Sequence, residues 1–319
     1  MSGKIISRRE MLRIAGFSIL GSSLISRIDA AGLPACSFDK KEKLPFRISL
    51  NTSTISGYKL PIEEQIELCR DAGYDGIELW FRDVDDYVQK GGTHVRLASI
   101  IKDSGLYLEN MIGFAPWLGD GNGMSQMKKE METAAALGSK CIAATALGLN
   151  VNESINRNRF DDYSKKYREL LVFGDQIGVT PLLELWGAGV LNQLSDAAHI
   201  AIGAKHEKAS LLLDFYHLYR GDNAFESLSL INGLSLPLFH INDYPSVPAR
   251  EQLNDEYRVF PGDGVCPFDK IIPLLYENGF RGGLSIELFN PHYWSDMKVK
   301  DLLKRGYESI VETIKKNLK

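Results

Sequence analysis

Basic residues are not in excess in this sequence. The 319 residues include 37 Lys and Arg against 41 Asp and Glu, which gives a formal net charge of −4. Proteins that hold nucleic acid by its phosphates carry a basic face or stripe. The charge balance therefore argues against a nucleic-acid partner, and we expect a small-molecule ligand instead.

Cysteine is also scarce, and the few cysteines are far apart. They are Cys36, Cys69, Cys141 and Cys266, and no two of them form a Cys-x-x-Cys pair. This spacing excludes the compact zinc and redox motifs as well as a small disulfide-rich scaffold. The sequence leaves open whether any of the four cysteines pair.

Long apolar runs are missing as well. The apolar stretch near the N-terminus, residues 14–25, is shorter than the roughly 20 residues that a helix needs to cross a bilayer. It follows Arg8 and Arg9 and precedes Ala30 and Ala31. Adjacent arginines, a short apolar run and a zone of small residues are typical of a twin-arginine export signal. We therefore expect a signal segment that directs export to the periplasm.

Two other interpretations of this segment, residues 1–31, remain open. It could form an amphipathic helix of a cytoplasmic enzyme, because Arg27 and Asp29 lie close to the expected cleavage point. Residues 33–36, which read Leu-Pro-Ala-Cys, also resemble a lipoprotein box, and a lipid on Cys36 would anchor the protein to a membrane.

Eight short apolar runs follow from residue 44 onward. Each is rich in Ile, Leu or Val and is bounded by Gly, Asp, Asn or Pro. Each is also hydrophobic throughout, as strands buried on both faces are. The predicted strands are residues 46–50, 76–80, 106–112, 140–146, 179–185, 210–215, 237–241 and 283–289.

Segments with a helical period separate these runs. They include residues 61–72, 124–137, 163–176, 267–278 and 298–316. Eight strands alternating with helices is the number that closes a (β/α)8 barrel, so we predict a single TIM barrel over residues 44–319. The alternative is a doubly wound open sheet, but no Gly-x-Gly-x-x-Gly or P-loop motif follows any predicted strand.

The fifth to eighth predicted strands each carry one polar residue near their C-terminal end. These residues are Glu184, Asp214, His240 and Glu287. Strand ends of this kind converge at one mouth of a TIM barrel. Burying three carboxylates there requires a compensating charge, because an unpaired buried carboxylate is strongly unfavourable.

A divalent cation would supply that charge. Three carboxylates and one imidazole suit Mn²⁺, Co²⁺ or Mg²⁺ best, with Zn²⁺ possible as well. The alternative is that each of the four residues is a separately satisfied core residue or ion-pair partner. Four such residues on successive strands favour the metal site.

The motifs around these residues resemble those of the xylose-isomerase-like TIM barrels, the sugar isomerase and epimerase family. The most similar branch is that of the 2-keto-myo-inositol isomerases. The resemblance extends over essentially everything after residue 43. Its most specific parts are residues 213–217 (LDFYH), 240–243 (HIND), 257–264 (YRVFPGDG) and 285–291 (SIELFNP).

The resemblance implies roles for individual residues. It implies that Glu184, Asp214, His240 and Glu287 hold one divalent metal ion. It also matches His217 to a family histidine that faces the substrate. Arg258 matches the family arginine that stands just before a Pro-Gly pair.

Chemistry supports these assignments. Moving a carbonyl along a polyol requires removing a proton next to it and returning one nearby, through an enediolate that a metal ion stabilises. Glu184 and Glu287 are the expected proton carriers, and His217 and Arg258 are expected to hydrogen-bond substrate oxygens. We therefore predict an isomerase or epimerase of a keto-sugar or keto-cyclitol. Residues 243–256 carry no clear phosphate-binding cluster, which favours a non-phosphorylated substrate.

Several further residues are secondary candidates. Asn51 ends the first predicted strand and Glu78 lies in the second, so both are expected to point towards the substrate at the same mouth. Glu78 could equally support a neighbouring group from behind. The tryptophans could supply apolar walls for a sugar ring, although core packing explains them equally well. They are Trp80, Trp117, Trp186 and Trp294.

Two other functions remain open at this point. The same metal centre could serve a lyase or dehydratase that eliminates a group β to a ketone. A non-catalytic sugar-binding protein could also have kept the barrel. The sequence leaves the physiological substrate, the native metal and the oligomeric state undetermined.

Overall fold

The computed structural model of the protein describes residues 44–318, in which eight parallel strands alternate with helices. The strands are β1 (Arg47–Asn51), β2 (Gly76–Trp80), β3 (Tyr107–Ile112), β4 (Cys141–Thr145), β5 (Thr180–Glu184), β6 (Leu211–Asp214), β7 (Leu238–Ile241) and β8 (Gly283–Ile286). The expected export segment and Cys36 lie outside the described residues.

Ten α-helices occur among the described residues. They are α1 (Ile62–Asp71), α2 (Phe81–Gln89), α3 (His94–Ser104), α4 (Gly123–Leu137), α5 (Phe160–Ile177), α6 (Leu194–Gly203), α7 (Phe215–Arg220), α8 (Phe268–Glu277), α9 (Pro291–Asp296) and α10 (Val299–Asn317). All five helices expected from the sequence are present, within a few residues of their predicted ends. None of the helices in residues 44–318 combines the length and the apolarity needed to cross a membrane.

The strands form one eight-stranded sheet in the order β3-β2-β1-β8-β7-β6-β5-β4. Neighbouring strands pair in parallel. The first strand, β1, pairs with the last strand, β8. β3 and β4 lie in contact, although no ladder joins them within the described part of the chain. This nearly closed arrangement is the predicted TIM barrel and excludes the open sheet.

The barrel interior has an apolar and a polar part. Side chains from β2 to β7 form an apolar cluster that consists of Trp80, Ile112, Cys141, Ala143, Leu182, Leu212 and Leu238. The inner side of β1, β2 and β8 is polar instead, because Ser49, Glu78 and Ser285 are fully buried there. A larger apolar cluster fills the space between strands and helices.

An ion pair closes the N-terminal end of the barrel. Arg47 donates two hydrogen bonds to the Glu109 carboxylate, at 2.7 Å from Nε and 2.8 Å from Nη2. Ser49 Oγ donates a third at 2.9 Å. A Cβ atom at Gly76 would lie 2.8 Å from Glu109 Oε1, so glycine leaves room for this carboxylate.

Two details differ from the sequence-based expectations. The eighth strand ends at Ile286 rather than at residue 289, because Leu288 N bonds to Thr54 Oγ1 instead of to a neighbouring strand. Helices α2, α3, α6, α7 and α9 were not among the predicted segments. Helix α2 begins at Phe81, directly after β2, so no turn residue marks the change from strand to helix.

Candidate metal centre and substrate cavity

Strand register brings the predicted ligands to the C-terminal mouth of the barrel. Glu184 is the last residue of β5 and Asp214 the last of β6. Asp214 pairs in register with His240 on β7. Glu287 follows β8 directly, and its backbone N–H still bonds to Ile241 O on β7. All four side chains are at least nine-tenths buried.

Three of the four predicted ligands form one compact group. One ligand atom from each of Asp214, His240 and Glu287 lies within 4.8 Å of the other two. His240 Nδ1 is 3.2 Å from Glu287 Oε2 and 3.8 Å from Asp214 Oδ2. Two carboxylates and one imidazole therefore meet around a single point.

Glu184 lies beside this group but not within it. Thr145, its register partner on β4, donates a hydrogen bond from Oγ1 to Glu184 Oε2 at 2.5 Å. Burial raises the pKa of Glu184 to about 7, and the nearby Glu287 carboxylate acts in the same direction. A carboxyl group with a pKa near neutrality is suited to both taking up and releasing a proton.

Glu78 lies behind His240 and is not on the cavity wall. Its Oε2 atom is 3.1 Å from His240 Nε2 and accepts a second bond from Asn110 Nδ2 at 2.9 Å. Although burial alone would raise it, the charge on His240 lowers the pKa of Glu78. Because an ionised carboxylate only accepts, Nε2 must carry the hydrogen of the imidazole. Glu78 therefore fixes the orientation of the ring and directs Nδ1 at the ligand group.

Arg258 reaches the same carboxylates from the loop after β7. Its Nη1 atom lies 2.9 Å from Asp214 Oδ2 and 2.8 Å from Glu287 Oε2. Asp255 holds the other side of the guanidinium, with bonds of 3.0 Å from Nε and 2.6 Å from Nη2. Arg258 is only 1% exposed, although it lines the cavity together with Asp255.

Asp243 fixes the loop that carries Arg258. Its carboxylate accepts hydrogen bonds from the backbone N–H groups of Gly262, Gly264 and Cys266 at 2.9–3.0 Å. A backbone bridge between Asp243 and Val259 adds two further bonds of 2.9 Å. The predicted Tyr-Arg-Val-Phe-Pro-Gly motif is thus a rigid turn that positions its arginine.

His217 is the third residue of α7, and this helix begins directly after Asp214. It accepts a hydrogen bond at Nε2 from Arg258 Nη2, 3.2 Å away, and its Nδ1 atom has no partner. Burial lowers the pKa of His217, so the ring is neutral and Nδ1 carries its hydrogen. His217 also lines the cavity, which leaves this N–H as a possible donor to a bound molecule.

Two asparagines hold the ligand carboxylates from behind. Asn51 Nδ2 donates to Glu287 Oε1 at 3.0 Å, and Asn242 Nδ2 donates to Asp214 Oδ2 at 2.8 Å. Asn51 is fully buried and, like Glu78, does not line the cavity. Both residues were expected to point towards the substrate, and the structure places Asn51 against Glu287 and Glu78 against His240, off the cavity wall.

Sequence reasoning missed Thr145, Asn242 and Asp255. Asn242 stands two residues after His240 in the same strand-end motif, which is a signal that could have indicated its role. Thr145 ends β4 at the position equivalent to Glu184, so strand alternation could have found it. Asp255 lies in an irregular loop, and no pattern indicates its contact with Arg258.

The residues fit a divalent cation. Four carboxylates, those of Glu78, Glu184, Asp214 and Glu287, are buried around His240, and the buried guanidinium of Arg258 contacts only Asp214 and Glu287 among them. His240 Nδ1 is buried and makes no hydrogen bond, although carboxylate oxygens lie close to it. An imidazole nitrogen beside two carboxylates is a donor set that a divalent metal uses.

A cavity of about 640 Å³ opens over this group. Most of its polar lining comes from β5 and the chain between β5 and α9, and includes Glu184, His217, Arg220, Asp255, Arg258 and Glu287. Of the four tryptophans, Trp80 and Trp186 line it. Trp117 and Trp294 bond to backbone oxygens of Thr145 and Thr54 and do not line it.

A TIM barrel with acidic and imidazole groups converging at its C-terminal mouth defines a class of small-molecule enzymes. The chain belongs to the xylose isomerase-like TIM barrel family, whose model matches residues 66–313. The family resemblance expected from the sequence motifs is therefore confirmed.

Individual relatives cover most of the chain. The inosose isomerase of Bacillus subtilis (strain 168) is 27% identical over 261 residues, which cover 79% of this chain and 92% of that protein. A 3-dehydroshikimate dehydratase of Pseudomonas aeruginosa is 25% identical over 255 residues, 76% of this chain and 38% of that protein. A crystal structure of the IolI protein with a bound zinc atom superimposes with a TM-score of 0.77 at 24% identity. It covers 86% of this chain and 99% of that one.

Proposed function

We propose that the protein is a divalent-metal-dependent isomerase or epimerase of a non-phosphorylated keto-sugar or keto-cyclitol. The observation that carries the proposal is the convergence of Asp214, His240 and Glu287, with no hydrogen bond at His240 Nδ1, beside a cavity that Glu184 and Glu287 line. The similarity to inosose isomerase over most of both chains supports a keto-cyclitol as the class of substrate.

In this proposal Asp214, His240 and Glu287 hold the metal, and Glu184 is its fourth ligand. When bound, the metal would polarise a substrate carbonyl and its neighbouring hydroxyl, which makes the adjacent C–H more acidic. Residues of this chain supply the rest of the chemistry. Glu184 takes the proton from carbon, and Glu287 returns a proton, at the neighbouring carbon in an isomerase or at the same carbon in an epimerase.

His217 then holds a substrate oxygen, and Arg258 supplies positive charge beside it, because the five N–H groups of its guanidinium already bond to Asp214, Glu287, His217 and Asp255. The guanidinium of Arg258 and the free Nδ1–H of His217 both border the cavity. Such fixed groups stabilise negative charge as it develops on an oxygen, because they need no reorganisation during the reaction. Asp255 and Asp243 serve this step indirectly, since they fix the position of Arg258.

Incubation in D₂O with a panel of keto-inositols and 3-keto-sugars tests the proposal. The protein, loaded with Mn²⁺ and quenched with a chelator before NMR, should incorporate deuterium next to the carbonyl and yield an isomerised or epimerised product. Glu184→Gln and Glu287→Gln should each abolish incorporation. Ligand binding without any exchange would instead indicate a sugar-binding protein.

A lyase is the second candidate, and the relative named 3-dehydroshikimate dehydratase favours it. The same proton abstraction by Glu184 could be followed by loss of a group β to the ketone. The two reactions differ in their products, because elimination forms an enone with a characteristic ultraviolet absorbance. Rapid enone formation without an isomerised product would replace the first proposal by this one.

A further inference from the structure

One side of the cavity is almost entirely apolar. We call it the apolar wall and define it as Trp80, Ile112, Phe114, Leu147, Leu149 and Val151. These residues come from the C-terminal ends of β2, β3 and β4 and from the loops after them. Phe114 is 45% exposed and Val151 77% exposed, so the wall presents large apolar groups to solvent.

Polar side chains on this side of the cavity are already engaged. Thr145, the polar side chain that β4 contributes to the lining, donates its hydroxyl to Glu184. Trp80 donates its Nε1–H to Asn51 Oδ1 at 2.7 Å. A polyol ring carries a hydroxyl on nearly every carbon and needs partners for them. The side chains of the apolar wall therefore cannot satisfy a second polyol.

Aromatic rings connect the apolar wall to the metal side of the cavity. The ring centroid of Phe114 lies 5.3 Å from that of Trp80 and 5.9 Å from that of Trp186. Both contacts are edge-to-face, and Phe114 remains 45% exposed. Trp186 in turn lies 6.1 Å from the His217 ring, so the aromatic surface continues up to the substrate-binding groups.

The cavity is also larger than one ring requires. Its volume of about 640 Å³ lies within the range of roughly 300–1,000 Å³ in which proteins bind drug-sized ligands. A single keto-cyclitol is considerably smaller than such a ligand. With that ring at the metal side, the space along the apolar wall would stay unfilled.

We propose that the substrate carries an apolar ring, an aryl substituent attached to its polyol ring, and that this aryl group packs on the apolar wall. The inference rests on the proposed function, because it assumes that the polyol ring lies at the metal side. It adds a specificity subsite in which Phe114 is the central contact and the loop with Leu149 and Val151 forms the outer edge.

Methyl and phenyl β-glycosides of 3-keto-glucose, measured with the Mn²⁺-loaded protein, test the subsite. Binding is followed by calorimetry and by the fluorescence of the tryptophans. The phenyl glycoside should bind roughly tenfold or more tightly than the methyl glycoside, as expected for burial of an aromatic ring. Phe114→Ala should reduce that ratio to near unity. Tyr276→Ala, a change of a similarly exposed aromatic residue on α8, should leave the ratio unaltered.

Equal affinity for the two glycosides, or a phenyl preference that survives in Phe114→Ala, would overturn the inference. Tighter binding of a glucosyl substituent than of a phenyl group would overturn it as well, in favour of a second sugar. Failure of the proposed function looks different. In that case no keto compound exchanges deuterium, while the phenyl preference and its loss in Phe114→Ala persist.

Discussion

Glu78 Oε2 lies 3.1 Å from His240 Nε2, inside the barrel and on the side of the imidazole that faces away from the cavity. The carboxylate fixes both the tautomer and the orientation of the ring, so that Nδ1 points at Asp214 and Glu287. A carboxylate in this position behind a ligand histidine commonly strengthens metal binding. The proposed metal centre thus includes a group that no bound molecule would touch.

Removal of the charge on Glu78 should weaken metal binding. We expect Glu78→Gln to reduce the Mn²⁺ affinity by about 10–100-fold, the usual effect of losing such a partner. Glu109→Gln is the matched control, because Glu109 is also a buried barrel carboxylate but bonds to Arg47 and Ser49 instead. Both variants should lose stability, and only Glu78→Gln should change the metal dissociation constant. Equal affinities in the two variants would contradict the role of Glu78.

Metal binding should release a proton from His240. Although burial by itself would lower it, the carboxylates of Glu287 and Glu78 raise the pKa of His240 well above its usual value. Below that raised pKa, Nδ1 holds a proton that the metal must displace, so the apparent metal affinity should increase with pH and level off above the pKa. Calorimetry in two buffers of different ionisation enthalpy should show release of about one proton near pH 7. Identical heats in both buffers would refute this.

Arg258 should matter most for stability when no metal is bound. Its guanidinium contacts Asp214 Oδ2 and Glu287 Oε2, the two oxygens that lie nearest to His240 Nδ1. Arg258→Met removes the guanidinium from these buried carboxylates and should lower the free energy of unfolding of the metal-free protein by about 3–5 kcal/mol. Saturating Mn²⁺ should recover much of this loss, because the metal compensates the same charges.

Urea denaturation with and without Mn²⁺ measures the effect. Arg305→Met is the control, because the ion pairs of Arg305 with Asp263 and Glu312 are partly exposed and should contribute little. A loss of stability in Arg258→Met that Mn²⁺ leaves unchanged would mean that Arg258 and the metal do not share these carboxylates.

Much of the site follows from strand alternation. Glu184, Asp214 and His240 interrupt apolar strands at their C-terminal ends, and the barrel topology then brings them to one mouth without further information. Ser285 precedes Glu287 by two residues and Glu78 precedes Trp80 by two, so a strict period of two could have located them behind the cavity wall.

Other contacts could not be predicted from the sequence. The bridge from Arg258 to Asp214 and Glu287 depends on a loop whose shape is set by backbone bonds to Asp243. The sequence of such a loop has no repeating pattern from which its geometry could be predicted. The apolar wall could not be predicted for a similar reason. Phe114 and Val151 lie in loops far apart in the sequence, and both reach the same cavity only in the folded chain.

We propose that residues 1–31 direct export by the twin-arginine route, on the basis of the adjacent Arg8 and Arg9 ahead of an apolar run. Replacing both arginines by lysine should retain the protein in the cytoplasm, since this route requires the arginine pair. Fractionation of cells that express the full chain, with immunodetection in the periplasmic fraction, measures the outcome. Cys36→Ser is the companion variant, and loss of membrane association in it alone would indicate a lipid anchor instead.

The most direct test of the metal-dependent proton transfer is a titration of metal-depleted protein with Mn²⁺, followed by the initial rate of solvent deuterium incorporation into the panel of keto-inositols and 3-keto-sugars. We predict no incorporation without metal, a rise to a plateau at about one equivalent of Mn²⁺ per chain, and no rise in Glu184→Gln. Incorporation that is independent of metal, or its absence from every member of the panel at saturating metal, would contradict the account.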